Sequence, residues 1–597
     1  MGDPSAPYPF LDPGELASVV TNVAAKSHEL LHNYIRVSGI DSDVDSDPFG
    51  LMPAFMELMS SWACDPAKVL DIQYNAWQSY VSVWQQSAQA FMGLDTIPVI
   101  NAASGDRRFK DSDWDNNPFF AYIKQTYLVA ATAIMASVEK VDDVDDKTAQ
   151  KIAFFTKQFV DAVAPSNFVL TNPEVVRTTI GSGGKNLLDG LESFLNDIDP
   201  VDGSLRIKMV DEDAFELGVN VAASPGHVVF QNDLMQLIQY EPTTDTVFER
   251  PLLMIPPWIN KYYVLDLQEK NSFIRSAVSK GHTVFVVSWV NPDETLAEKD
   301  FEDYVFDGPL AALDAIESAT GVCEVNMIGY CLGGTLLGAT LAYLQATGDE
   351  RVKCATFLTS LLDFSEPGDL GVFIDEAQVQ SLEQTMDERG YLDGAEMAST
   401  FNMLRANDLI WSFVIHNYLL GKEPVPFDLL YWNSDATRMP AKMHSTYLRK
   451  MYLENAFREP GGVKVGEVAI DLSSIETPAY FVSAAEDHIA PWKTTYLGAQ
   501  LFSGPVTFVL SKSGHIAGII NPPGPRAYGH FTGPGLSGLP VDEWFASTQE
   551  QEGSWWPRWS SWIRDYTGDD VPARRPGDGS LEVLESAPGS YVKNRNA

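Results

Sequence analysis

Two apolar runs meet across a short turn, Gly329-Tyr330-Cys331-Leu332-Gly333. Upstream, "CEVNMIG" reads as a buried strand; downstream, "LGGTLLGATLAYL" reads as a helix. Glycine two positions to either side of Cys331 marks backbone packed where a Cβ would clash. The pattern G-x-C-x-G therefore predicts a sharp strand-to-helix turn that lifts one side chain above the end of a sheet. This is the shape of a nucleophile elbow, with sulfur in place of the usual hydroxyl. The helix would aim its free N–H groups and the positive end of its dipole at that sulfur, which favours a thiolate there. A side chain held this way needs parallel strands beside it and helices above and below.

The rest of the chain supplies them. "PLLMIPPWIN" at Pro251, "HTVFVVSWVNP" at His282, "CATFLTSLLDF" at Cys354, "PAYFVSAAEDHIAPW" at Pro478 and "VTFVLSKSGHIAG" at Val506 are strand-like, with helical stretches such as "KNSFIRSAVSKG" between. A mostly parallel sheet with helices on both faces follows, and the expected class is an α/β-hydrolase fold over residues 201–597. Residues 364–475 break the rhythm with a largely helical insertion, expected to cap the site at the carboxyl ends of the strands. Residues 1–200 read as a mainly helical domain, from "PGELASVVTNVAAKSHELLHNYI" through an aromatic-rich run ending at Gly93. The aromatic stripe is read as core, with docking on an apolar surface or partner as the alternative. Acidic "NDIDPVDGSLRIKM", 196–209, marks a boundary. The Pro/Gly-rich tail from about 568 is expected to be loosely ordered.

At 597 residues the chain exceeds one ordinary core. It carries 81 acidic against 41 basic residues, a formal net charge of −40. That field repels polyanions, so nucleic acid is excluded as a partner; solubility or adaptation to salt accounts for the acidity. Cys64, Cys323, Cys331 and Cys354 form neither a disulfide framework nor a zinc spacing, so no metal and no cofactor is expected and a reducing cytoplasm fits. The start lacks the basic and apolar regions of a secretory signal. No run is read as long enough for a transmembrane segment; "YLVAATAIMASV" has the length of a buried helix.

In an α/β-hydrolase the nucleophile, acid and histidine follow one another along the chain. Asp487 closes one predicted strand and His515 sits in a glycine-bounded loop after the last, so Cys331, Asp487 and His515 form the expected triad. His488 and Glu486 are weaker candidates for base and acid; His28, His32 and His282 are read as structural or solvated. An oxyanion hole needs two N–H donors. Leu332 supplies one, and Ile259 or Trp258, in the loop after "PLLMIPP", the other.

Taken together, "RPLLMIPPWINKYYVLDLQ", "GYCLGG", "LLDFSEPGDLGVFIDE", "PVPFDLLYWNSDATRMP", "YLRKMYLENAF", "EDHIAPW", "SGHIAGIINPP" and "GSWWPRWSSW" resemble the polyhydroxyalkanoate synthases. The single-subunit, short-chain class I is most similar, from about residue 100 to the end and more weakly before. The resemblance implies Cys331 as nucleophile, with Asp487 and His515 completing the triad. It implies polymerisation of (R)-3-hydroxyacyl-coenzyme A, above all 3-hydroxybutyryl-coenzyme A, into polyester through an acyl-cysteine. It also implies a homodimer on the surface of cytoplasmic polymer granules, alongside granule-associated proteins. Given that substrate, Arg405, Arg449 and Lys450 are candidates for the coenzyme A phosphates, and Ala517 for the border of the acyl pocket. Trp258 departs from the family pattern and leaves the donor geometry open. A cysteine-dependent thioesterase or lactone hydrolase, a transacylase and a non-catalytic granule protein remain alternatives.

Overall fold

The computed structural model describes residues 51–64, 66–103, 105–139, 144–200, 203–536 and 538–595. The first predicted helix, with His28 and His32, lies outside these. The chain divides into two compact units: the described residues up to Asp211 together with Arg405–Val425, and Glu212–Leu404 with Pro426–Ala597. The division thus falls at Asp211/Glu212, and the middle of the 364–475 insertion belongs to the first unit.

The first unit is helical, and its caps are written in the sequence. Asn117, Asp145 and Asn172 each accept N–H bonds from the first turn of the helix that follows, Pro118–Val138, Asp146–Ala162 and Pro173–Ser182. Arg108 is held by Asp106 and Asp161, both at 2.8 Å. The Arg405–Val425 segment joins this unit because Gly190 leaves room for it: a Cβ there would lie 1.9 Å from the Tyr418 carbonyl oxygen. The Asn186 amide donates to the Leu419 carbonyl at 2.7 Å. Pro118–Val138 is long and apolar enough, by length and composition, to cross a membrane. That corrects the reading that no segment was: the apolar stretch runs past its polar interruptions. Phe120, Leu128, Val129 and Val138 are buried within the unit, while 28% of its most apolar window is buried overall.

The aromatic helix Pro66–Phe91 departs from expectation. Its side chains were read as core, yet Leu70, Tyr74, Trp77, Trp84 and Phe91 are all more than half exposed, and Val83 is its buried hydrophobic. Periodicity tells which face is apolar, not what covers it.

The second unit is built on one sheet of eleven strands. In chain order these are β1 (Gly226–Gln231), β2 (Met235–Tyr240), β3 (Leu252–Ile255), β4 (Val284–Trp289), β5 (Val325–Tyr330), β6 (Val352–Leu358), β7 (Ala479–Ala484), β8 (Val506–Ser511), β9 (His530–Thr532), β10 (Gln549–Gln551) and β11 (Glu585–Ser586). The spatial order is 10-9-8-7-6-5-3-4-2-1-11. From β4 to β8 every neighbouring pair is parallel; the strands outside them are antiparallel. β3, β4, β5 and β7 are buried at every position, as strands covered on both faces must be. This is the α/β-hydrolase fold, and it sets the ends of β3, β5, β7 and β8 side by side.

The C-terminal tail is not loose. Asp570–Pro572 pairs with Thr246–Phe248, Glu585–Ser586 extends the sheet at β1, and Val592 is fully buried. Its partners are backbone groups hundreds of positions away, such as the Glu249 carbonyl that accepts from Arg574 at 2.7 Å. Local composition carries no sign of them.

Candidate active site

Cys331 follows β5 directly and caps the helix Leu332–Thr347 with φ 53° and ψ −121°. A non-glycine residue at positive φ is strained, and such strain persists only where the surroundings impose it. Here they do. A Cβ on Gly333 would stand 2.0 Å from the Ile255 carbonyl oxygen, and one on Gly329 would stand 2.5 Å from the Gly334 Cα. The helix start is thus pressed against the end of β3, and the Cys331 N–H donates to Leu358 O at 2.9 Å.

Asp487 lies in the turn after β7, its side chain fully buried. Its Oδ1 accepts from the N–H groups of Ile489 and Ala490, both at 2.9 Å. Its Oδ2 accepts from His515 Nδ1 at 2.7 Å. With Nδ1 so engaged, the other ring nitrogen is left for the thiol, and Cys331 and His515 line the same cavity. Burial opposes charge on His515, but Asp487 and Cys331 outweigh it and hold its pKa well above the usual histidine value. Tyr330, the residue before Cys331, stacks on the His515 ring at 5.8 Å. The loops are joined by Ala485 N–H to Ser511 O, 2.8 Å, and Glu486 N–H to Ser513 O, 2.9 Å. Three residues far apart in sequence therefore meet at the carboxyl ends of β5, β7 and β8.

The weaker candidates fall away on geometry. Glu486 is exposed. His488 does not line the cavity described next. His282 is buried between Phe248 and Trp559, and burial pushes its pKa down to about 3.

Cys331 and His515 open on a cavity of about 260 Å³ within the second unit. Its floor includes Ile259, Leu332 and Thr359, and its roof is drawn from the insertion, among others Phe373, Leu392, Met397, Met439 and Tyr447. As first residue of its helix, Leu332 has no intrahelical acceptor for its N–H. Ile259 lines the cavity, and its carbonyl is held by Thr437 N–H at 3.2 Å. Trp258 does not line it. Its ring packs in the core against Tyr304, Trp289 and Tyr447, at centroid distances of 5.1, 6.1 and 6.1 Å.

The expected phosphate ligands do not converge on the cavity. Arg405 pairs with Asp408 within the first unit. Arg449 forks onto Glu383, at 2.7 Å through both Nε and Nη2, and reaches Glu376 at 2.9 Å. Lys450 pairs with Glu454 at 2.7 Å. Carboxylate partners already engage these cations; those of Arg405 and Lys450 lie three and four residues on, those of Arg449 lie 66 and 73 positions away. Ala517 is not a lining residue; its neighbour Ile516 is, because the loop after His515 coils into a turn closed by Gly518 N–H to Gly514 O at 2.8 Å. Among the described residues no group of three or more His, Cys, Asp or Glu is placed to hold a metal ion.

Fold and geometry together are those of an α/β-hydrolase-type protein in which a cysteine, a histidine and an aspartate come together at the carboxyl ends of the parallel strands. Comparison with known proteins narrows this. Residues 105–277 match the family described as Poly-beta-hydroxybutyrate polymerase (PhaC) N-terminus, and residues 250–522 match the alpha/beta hydrolase fold. The chain is 48% identical to the poly(3-hydroxyalkanoate) polymerase of Methylorubrum extorquens, covering 89% of this chain and 88% of that one. It is 45% identical to the poly(3-hydroxyalkanoate) polymerase subunit PhaC of Rhizobium meliloti (strain 1021), over 99% and 97%. It is 42% identical to the subunit PhaC of Cupriavidus necator, over 88% and 89%. The chain belongs to the poly(3-hydroxyalkanoate) polymerase family and is an acyltransferase.

Proposed function

We propose that this chain polymerises (R)-3-hydroxyacyl-coenzyme A, with 3-hydroxybutyryl-coenzyme A as its main substrate, through an acyl thioester on Cys331. The observation that carries the proposal is the buried His515–Asp487 pair, 2.7 Å apart, with Cys331 and His515 lining one mainly apolar cavity.

In this reading His515 takes the proton of Cys331 Sγ while Asp487 fixes the ring and balances its charge. The sulfur attacks the thioester carbonyl, and the oxyanion is received by the N–H groups of Leu332 and Ile259. The carbon–sulfur bond to coenzyme A breaks, and the departing thiolate takes the proton from His515. A hydroxyl, from a chain end or a second hydroxyacyl thioester, then attacks the acyl carbon. Its proton passes to His515, the bond to Cys331 Sγ breaks, and the sulfur regains a proton. One ester bond is made per coenzyme A released. Sulfur suits the task because thioester exchange is nearly balanced in energy. The acyl-Cys331 keeps the drive of the incoming thioester, where an acyl-serine would be an ester no more reactive than the product. The apolar roof keeps water from taking the acyl group.

The exposed stripe Leu70, Tyr74, Trp77, Trp84 and Phe91 supports docking of the N-terminal helices on the granule surface. No residue between Asp71 and Asp95 is charged, in a chain of net charge −40, and an uncharged aromatic face suits an uncharged polyester. Homodimerisation, a cytoplasmic setting and granule-associated proteins are part of the same reading.

The test is purified protein with 3-hydroxybutyryl-coenzyme A, following free thiol and turbidity together. Release of coenzyme A in step with turbidity, both abolished by Cys331→Ala, is expected. Thiol release with free 3-hydroxybutyrate and a clear solution identifies a thioesterase instead.

A further inference from the structure

One side chain of the cavity has no place in that cycle. His444 stands on the roof, in the helix Ala441–Tyr447, and lines the same cavity as Cys331 and His515. It is 5% exposed, and its Nδ1 has no hydrogen-bond partner. Several other polar side chains of the wall are occupied. Thr335 Oγ1 donates to Leu361 O at 2.7 Å, Trp432 Nε1 to Lys261 O at 2.7 Å, and Glu396 pairs with Arg389 at 2.6 Å. Thr359, on the floor, shares the condition of His444: its Oγ1 is buried and unpaired.

A buried polar group without a partner costs stability, so an apolar wall that keeps one calls for an occupant that pairs with it. The occupant's chemistry follows from the imidazole. Burial pushes its pKa down to about 4, so near neutral pH it is an uncharged ring with one donor and one acceptor nitrogen. Such a ring is a poor partner for phosphate and a good one for a hydroxyl, which also both donates and accepts.

The proposal rests on the acyl-cysteine reading above. There, the thioester carbonyl is received by backbone N–H groups. The acyl unit offers one further polar group, the hydroxyl at its third carbon. We infer that His444 binds this 3-hydroxyl as the acyl group enters, and so sets the preference for hydroxylated over plain acyl thioesters. A site built to hydrogen-bond a substrate hydroxyl rejects the analogue that lacks it, because the site's own group is then stranded.

The experiment compares single-turnover release of coenzyme A from 3-hydroxybutyryl- and butyryl-coenzyme A, using the full chain. Acylation of Cys331 needs no hydroxyl, so both thioesters report on the same step. The wild type is expected to favour the hydroxylated substrate. His444→Phe, which keeps a flat ring and loses its nitrogens, should slow that substrate about ten- to hundredfold, the loss typical of a stranded or missing hydrogen bond. The same variant should leave butyryl-coenzyme A within about threefold. His444→Gln should keep much of the preference. If the Phe variant fails to fold, His444→Leu carries the same comparison. An equal fall for both thioesters, or a wild type indifferent to the hydroxyl, overturns the inference while leaving the acyl-cysteine reading standing. No release from either thioester that depends on Cys331 overturns both.

Discussion

Asp487 makes two kinds of bond, and they can be separated. Its Oδ1 accepts two backbone N–H groups of its own turn, while its Oδ2 takes His515 Nδ1. Asp487→Asn keeps an Oδ1 for the turn, so folding should survive. The amide that replaces Oδ2 has no lone pair for the Nδ1 proton and no charge to balance an imidazolium. The rate of coenzyme A release should fall roughly 10³- to 10⁴-fold, as loss of an orienting carboxylate does elsewhere. The His515 ring should also titrate lower, because the attraction of Asp487 helps hold it above its ordinary value. Proton NMR of the ring reads the second effect independently of turnover. A variant that turns over normally with an unmoved ring would remove Asp487 from the mechanism.

At the scale of elements, the junction of β5 with its helix is the least forgiving place in the molecule. Gly333→Ala would press a methyl onto the Ile255 carbonyl, with 2.0 Å where more than 3 Å is needed. The helix must retreat from β3, and the loop carrying Ile259 begins just beyond. A loss of at least 1–3 kcal/mol is expected, about that of an overpacked core. Urea titration reads the stability. Coenzyme A release should be lost even where the variant is still folded, since the Leu332 and Ile259 N–H groups proposed as oxyanion donors would separate. This junction was also the most legible part of the chain. Its two glycines, its apolar strand and the order of Asp487 and His515 are all local signals or simple sequence order. The aromatic helix Pro66–Phe91 was misread because its pattern is apolar whether or not another surface covers it. The antiparallel strands β1, β2, β9, β10 and β11 went unread for different reasons: β9, β10 and β11 are only two or three residues long, and a run such as "GHVVFQ" says little without its partner. The cavity wall was hidden because His444 carries no motif, and the motif around His515 does not tell whether Ile516 or Ala517 faces the cavity. The pairing of Arg449 with Glu383, 66 positions away, was equally out of reach.

The exposed stripe lets stability and location be tested apart. Trp77 and Trp84 are 63% and 67% exposed, so Trp77→Gln with Trp84→Gln removes little buried surface. The melting temperature should move by no more than about 2 °C, as for surface changes of ~0.5 kcal/mol. Release of coenzyme A from soluble substrate should be unchanged. Retention on sedimented polyester should drop, and equal retention by variant and parent would discard the docking face.

For the whole molecule, acid is the sharper probe. His282 and His444 are buried and uncharged, with pKa values pushed down to about 3 and about 4. In the unfolded chain each would bind a proton near pH 6.5. Below that value the unfolded state takes up protons that the folded state refuses, so stability is full above pH 6.5 and is lost as pH falls toward 4. The linkage is worth about 2 kcal/mol for each histidine at pH 5. His515 works in the opposite sense. Its raised pKa gives stability that is whole below 6.5 and is lost as pH climbs through the folded value. His530, also lowered by burial, acts in the same sense as the two rings, while Asp266 and Asp435, raised by burial, act against them. The urea midpoint should therefore fall from pH 7.5 to pH 5. His282→Phe keeps the packing against Phe248 and Trp559 and removes the proton acceptor. Its loss over the same interval should be smaller than the parent's by about 2 kcal/mol. An identical loss in parent and variant would show that His282 is protonated in the folded chain, and that the burial assigned to it is wrong.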